Sequence, residues 1–167
     1  MMPTIEGILS EENREFVSSL GDWTGDATWD PGPIGGLEGV AKFVIGVYPN
    51  IKTIQLSYPS VKSPKDFLVG FVFYTYFPSS ENSINRRLRI TDGVYSFERD
   101  WSNQEFPDEW LSLGFSVDLP ADWNKENITI FLDVQMGVSG FPGVAYADRA
   151  SLTWLTITQH LPVMGIG

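Results

Sequence analysis

Tyr74, Tyr76, Arg87, Arg89, Asp133 and Gln135 are the residues of this 167-residue chain whose types and spacing suit ligand chemistry. They come as three pairs, each two apart, so in extended strands both members of a pair project from one face. Tyrosine rings offer flat apolar faces to the C–H groups of a sugar, while arginine, aspartate and glutamine hydrogen-bond its hydroxyls. The strand face of Val72, Tyr74 and Tyr76 is expected to continue onto Arg87 and Arg89 of the next strand. A plainer use exists for the same residues, because guanidinium groups stacked on tyrosines keep a sheet face soluble without any ligand. Trp23, Trp29, Trp101, Trp110 and Trp123, at turn-rich or strand-edge positions, either form a stacking rim or seal the ends of a core.

Catalytic signals are sparse. The single histidine, His160, sits near the end of the chain, too isolated for a Ser/His/Asp triad, and the absence of cysteine removes thiol catalysis, Cys-ligated zinc and disulfides. Glu98 and Asp100 share one side of an expected strand, about 7 Å apart at the backbone, which suits the two carboxylates of glycoside hydrolysis. Arg99 between them points instead to ordinary ion pairs, and the chain is expected not to be an enzyme.

The elements that must position these residues are strands. Candidate segments are Val40 to Val47, Thr53 to Tyr58, Phe67 to Phe77, Arg86 to Thr91, Val94 to Glu98, Trp110 to Leu119, Asn127 to Met136 and Val144 to Thr158, separated by Pro/Gly/Asn/Asp-rich turns. Asp92-Gly93 is a type I′ hairpin signal. Leu111, Leu113, Phe115, Val117 and Leu119 alternate with polar residues, as do Ile128, Ile130, Leu132, Val134 and Met136. The segment Phe67 to Phe77 is apolar or aromatic on both faces. Its phenylalanines belong to the core, so its second face, with Gly70, Tyr74 and Tyr76, needs a loop, a ligand or a neighbouring subunit over it. Eight or so such strands predict an all-β fold, a two-sheet antiparallel β-sandwich or jelly roll.

One domain accommodates this length. A net charge of -10 argues against nucleic acid, whose phosphates require clustered Lys and Arg. No apolar run approaches the roughly 18 residues that span a membrane. The opening Met1-Met2-Pro3-Thr4-Ile5-Glu6 shows no signal peptide. Boundaries are expected at 1–12 for an N-terminal arm, 13–158 for the sandwich and 159–167 for an apolar tail. The tail and the residues Ile5, Ile8 and Leu9 suit docking on a neighbouring subunit, as in a homo-oligomer.

Several segments, taken in order, resemble the jelly-roll carbohydrate-binding modules, the galactose-binding-like group that includes xylan- and glucan-binding domains. Asn13-Arg14-Glu15-Phe16 followed by Leu20-Gly21-Asp22-Trp23 is similar to the family's opening. Asp66 to Phe71 is similar to a middle strand, Glu109-Trp110-Leu111 through Leu119-Pro120-Ala121 to an alternating strand and its turn, and Tyr146 to Thr153 to the closing strand. The resemblance implies a ligand groove across the Tyr74, Tyr76, Arg87, Arg89, Asp133 and Gln135 platform. It also implies a structural calcium near Asp148, although Val17 stands where family members often carry Glu, and one carboxylate falls short of the six to eight oxygens calcium takes. Two functions remain: first, a structural subunit of a larger assembly such as a phage decoration or tail protein; second, a glycan-binding module. Either implies a virion or an extracellular surface.

Overall fold

Large apolar side chains at every second position make strands of most of this chain, because each strand then has one face to bury. The computed structural model describes residues 4–7, 9–57, 68–78, 83–124, 127–137 and 141–156, and among them shows twelve strands and one short helix. In order they are β1 (Thr4–Gly7), α1 (Glu11–Glu15), β2 (Thr24–Gly25), β3 (Ala27–Asp30), β4 (Val40–Ile45), β5 (Ile51–Ser57), β6 (Leu68–Tyr76), β7 (Ile84–Thr91), β8 (Ser96–Glu98), β9 (Ser102–Gln104), β10 (Leu111–Asp118), β11 (Thr129–Met136) and β12 (Gly143–Thr156). Two antiparallel sheets result. Sheet 1 has the order β10-β6-β12-β4-β3 with β1 on β12; sheet 2 has the order β2-β5-β11-β7-β8 with β9 on β7. The expected two-sheet sandwich is therefore the observed architecture.

Phe71 and Phe73 of β6, Phe43 of β4 and Leu152 of β12 face Ile54, Leu88, Ile90, Ile130 and Leu132 of sheet 2, all at most 1 % exposed. Burying each such side chain contributes about 1.5–3 kcal/mol. One inward residue is charged: Arg86 of β7 donates from Nη1 to Thr75 Oγ1 at 2.9 Å and to Gln104 Oε1 at 3.2 Å, and from Nε to Ser102 O at 3.3 Å. It thereby ties sheet 2 to β6 of sheet 1. Burial, followed by the nearby charge of Arg99, pushes the Arg86 guanidinium down to about 10, which leaves it charged at neutral pH.

Several expectations need correction. The hairpin at Asp92-Gly93 exists as β7–β8, but its loop runs over four residues, since Thr91 pairs with Ser96. The Asp92 carboxylate accepts from the Val94, Tyr95 and Asn124 backbone N–H groups and so builds a wider turn than the I′ type. Short strands β1, β2, β3 and β9 lacked the alternation needed to be seen. Within the expected arm, β1 pairs with β12 of its own sheet and Leu9 is in the core. Phe67, His160 and the tail 159–167 lie outside the described residues.

The opening motif is a structural knot. Asn13, nearly buried, donates from Nδ2 to Asp22 Oδ2 at 3.1 Å and accepts the Asp22 N–H on Oδ1 at 2.8 Å, while its carbonyl accepts the Trp23 indole N–H at 2.8 Å. Trp23 and Phe16 then pack on Phe73. Gly21, at φ +61, permits this closure, since a Cβ there would meet Asn13 Oδ1 at 2.2 Å. Gly21→Ala is therefore expected to cost more than about 1 kcal/mol, read as a lowered midpoint in urea; an unchanged midpoint would show that the knot carries no stability.

Candidate ligand-binding face

The expected single platform is divided between two faces. Strand β6 belongs to sheet 1 and β7 to sheet 2, because β7 pairs with β11 and not with its sequence neighbour β6. Tyr74 and Tyr76 consequently lie on the opposite side of the sandwich from Arg87, Arg89, Asp133 and Gln135.

On the outside of sheet 1 the chain covers itself. Tyr76 packs against Trp110 and Tyr146, with ring centroids 5.2 and 6.2 Å away, and Ile34 and Leu37 pack on this cluster. The Trp110 indole N–H donates to Ile34 O at 3.0 Å, and the Tyr76 hydroxyl donates to Asp108 Oδ1 at 3.0 Å. Gly35, at φ +53, lets the loop lie this close, for a Cβ would stand 2.6 Å from Trp110 Nε1 and 2.7 Å from Tyr76 Cε2. Burial, with the Asp108 bond, raises the Tyr76 phenol above its usual value. Tyr76 is thus a core residue of a small second cluster and not a ligand-binding residue. Tyr74 is half-buried and lines a pocket of about 520 Å³ with Arg14, Glu15, Arg149, Ala150 and Ser151.

Asp148 adjoins that pocket at an irregularity in β12, where pairing with β6 shifts between Asp148 and Ser151 and Arg149 adopts φ +54. Its Oδ1 accepts the Arg149 backbone N–H at 2.7 Å. Burial pushes its carboxyl up to about 7, against the smaller lowering effect of that bond. Among the described residues no group of three or more His, Cys, Asp or Glu could hold a metal ion, so the side chains around Asp148 do not fit the expected calcium.

On the outside of sheet 2, strand register brings the polar candidates together. Arg87 stands opposite Asp133, which stands opposite Thr53; one row along, Arg89 stands opposite Phe131, which stands opposite Gln55. The Asp133 side chain, 1 % exposed, accepts on Oδ2 from Arg87 Nε at 2.9 Å and Arg89 Nε at 2.6 Å, and on Oδ1 from Arg89 Nη2 at 2.9 Å and Thr53 Oγ1 at 2.7 Å. Burial alone would raise this carboxyl, but the bonds from Arg89, Thr53 and Arg87 outweigh it and hold it below the usual carboxylate range. Both guanidinium groups lie on aromatic rings, Arg87 4.4 Å from the centre of Trp101 and Arg89 4.1 Å from that of Phe131. Gln135 is buried and accepts from Asn85 Nδ2 at 3.2 Å, extending the polar face by one row. Glu98 of β8 stands opposite Arg89, with Oε2 4.0 Å from Arg87 Nη1; the strand ends there, so Asp100 does not share its face.

Phe131 and Thr53 join the site although neither was singled out in the sequence. Phe131 was legible only as an outward position in an alternating strand. Thr53 carried no signal, since only the pairing of β5 with β11 puts its hydroxyl on Asp133.

No protein-family model and no curated protein matches the chain. Solved structures do. The chain is similar to TmCBM61, solved in complex with β-1,4-galactotriose, with a TM-score of 0.64 at 14% identity over 88% of this chain and 97% of that one. It is similar also to the CBM22-1 xylan-binding domain of Paenibacillus barcinonensis Xyn10C, with a TM-score of 0.60 at 8% identity over 87% and 94%. The enzymatically active domain of bacteriophage CBA120 tailspike protein 4 matches at a TM-score of 0.55 and 7% identity, over 87% of this chain but 21% of that one. The chain has the β-sandwich fold of carbohydrate-binding modules; identities this low establish the fold alone.

Asp148 gives a pH prediction. A folded-state carboxyl near 7 keeps its proton to higher pH than the unfolded chain, whose Asp titrates near about 3.9, so stability falls as pH rises through that window. Asp148→Asn is expected to remove this slope and to be the more stable protein at about pH 8, by urea unfolding across the range. Identical wild-type and variant profiles would refute it.

Proposed function

We propose that the chain is a non-catalytic glycan-binding module whose ligand lies on the outer face of sheet 2, across Arg87, Arg89, Trp101 and Phe131. One observation carries this: a buried carboxylate fixes two guanidinium groups over two aromatic rings on a face that is itself only partly exposed. Fixed planar groups present a preorganised surface, so a ligand is met without the side-chain ordering that weakens binding to mobile residues. Aromatic and arginine groups side by side on one face supply both the apolar contact and the directed hydrogen bonds that a pyranose ring requires. Support also comes from TmCBM61 and the CBM22-1 domain, each matched over nearly its whole length and described as bound to a galactotriose or as xylan-binding.

The two expected readings thereby change order. The assembly-subunit reading drew on the doubly apolar strand β6 and the apolar chain ends, and at Tyr76 the second face of β6 is covered by the chain's own Ile34–Leu37 loop. A tailspike among the similar structures gives it little weight, since only 21% of that chain is matched. Polysaccharide as ligand places the work of the module at an extracellular or virion surface.

The test is affinity electrophoresis through gels containing neutral and acidic polysaccharides. Wild-type protein is expected to be retarded by at least one of them. Trp101→Ala and Arg89→Ala are expected to lose the retardation while still melting cooperatively, and Tyr74→Ala, on the other sheet, is expected to keep it. Free migration of the wild type through every gel would overturn the proposal.

A further inference from the structure

We infer that the glycan held on sheet 2 carries carboxylate groups, making it a uronate-bearing chain; this rests on the glycan-binding reading of the same face. The two arginines at the centre of the face offer donors, and the carboxylate between them is closed to a ligand. Both oxygens of Asp133 are taken, Oδ1 by Thr53 and Arg89 and Oδ2 by Arg87 and Arg89, and the side chain is buried away from any ligand. Arg89 commits Nε and Nη2 to that carboxylate, which leaves Nη1 without a hydrogen-bond partner among the described residues. Arg87 commits Nε, which leaves Nη2 in the same condition and Nη1 at 4.0 Å from Glu98, too long for a hydrogen bond. Both side chains reach the surface, at 21% and 27% exposure.

A sugar hydroxyl both donates and accepts, and the two guanidinium groups match only its accepting half. An ionised carboxylate only accepts, and its two oxygens match the fork of a guanidinium group. Arginine stacked on Trp101 and Phe131 is held in place with guanidinium N–H groups still to offer. Glu98, 46% exposed on the rim, occupies the position an incoming carboxylate would take, in a long and solvent-screened contact of little strength. The chain's net charge of -10 acts mostly from farther away, where salt damps it beyond about 8 Å at physiological ionic strength.

The experiment is affinity electrophoresis at fixed ionic strength with polygalacturonate and a glucuronate-bearing xylan, each beside its carboxyl-reduced form. Native polymers are expected to retard the protein at concentrations about tenfold lower than the reduced forms, the difference made by losing charge-assisted hydrogen bonds. Arg89→Lys, which keeps the charge but not the fork, is expected to weaken uronate binding by about tenfold. Glu98→Gln is expected to strengthen it, because the competing carboxylate is gone. Equal retardation by native and reduced polymers overturns the uronate inference and leaves the glycan reading standing, as does a Glu98→Gln protein that binds more weakly. No retardation by any polysaccharide overturns both. Should Arg89→Lys fail to fold, the surface change Glu98→Gln and the polymer comparison still decide.

Discussion

Every strand in a two-sheet sandwich sends half of its side chains away from the core, and the rest of this structure follows from how those outward residues are accommodated. The inner faces are settled by apolar packing of Phe71, Phe73 and Phe43 against the isoleucines and leucines of sheet 2. The outer faces meet water, and their chemistry differs. Sheet 1 presents Tyr76 and Tyr146 outward and covers them with its own loop, where Gly35 permits an approach no side chain would tolerate. Sheet 2 presents arginines held on aromatic rings and leaves them partly open.

Charge is handled in the same spirit at two places where burial penalises it. Asp133 is removed from water, at a desolvation cost that is offset only because two arginines and a threonine meet all of its oxygen capacity. Removing one partner would leave a buried charge poorly compensated, so the carboxylate and both guanidiniums behave as one unit. Arg86 lacks a carboxylate altogether and is held by Thr75, Gln104 and Ser102, neutral groups contributed by strands of both sheets. Asp148 is the contrasting case, where burial outweighs one backbone bond and the nearby charge of Arg149, and its proton is held to higher pH as a result.

Fold likeness and site chemistry carry different weight here. Sandwiches of this shape host unrelated functions, so the similarity to a galactotriose-bound structure and a xylan-binding domain locates the chain among β-sandwiches without assigning a ligand. The proposal of a glycan face on sheet 2 rests on its own residues: aromatic rings, fixed guanidinium groups and a hidden carboxylate that holds them in place. Enzymatic chemistry finds no comparable arrangement among the described residues, since Glu98 stands beside arginines and Asp100 lies beyond the end of β8.

The amino-acid sequence by itself determined the layered all-β architecture, because period-two alternation in segments such as Leu111–Asp118 and Thr129–Met136 has only one way to bury its apolar face. It also paired Arg87 with Arg89 and Asp133 with Gln135, since residues two apart share a face. Whether that face was shared with Tyr74 and Tyr76 was not in the sequence. Strand pairing is a long-range choice, and β7 lies beside β11, more than forty residues on, instead of beside β6, its neighbour in the chain. That choice alone put the tyrosines on one side and the arginines on the other, brought Thr53 onto Asp133, and laid Arg89 across Phe131. Local spacing fixes which way a side chain points; only the tertiary pairing of strands decides what it points beside.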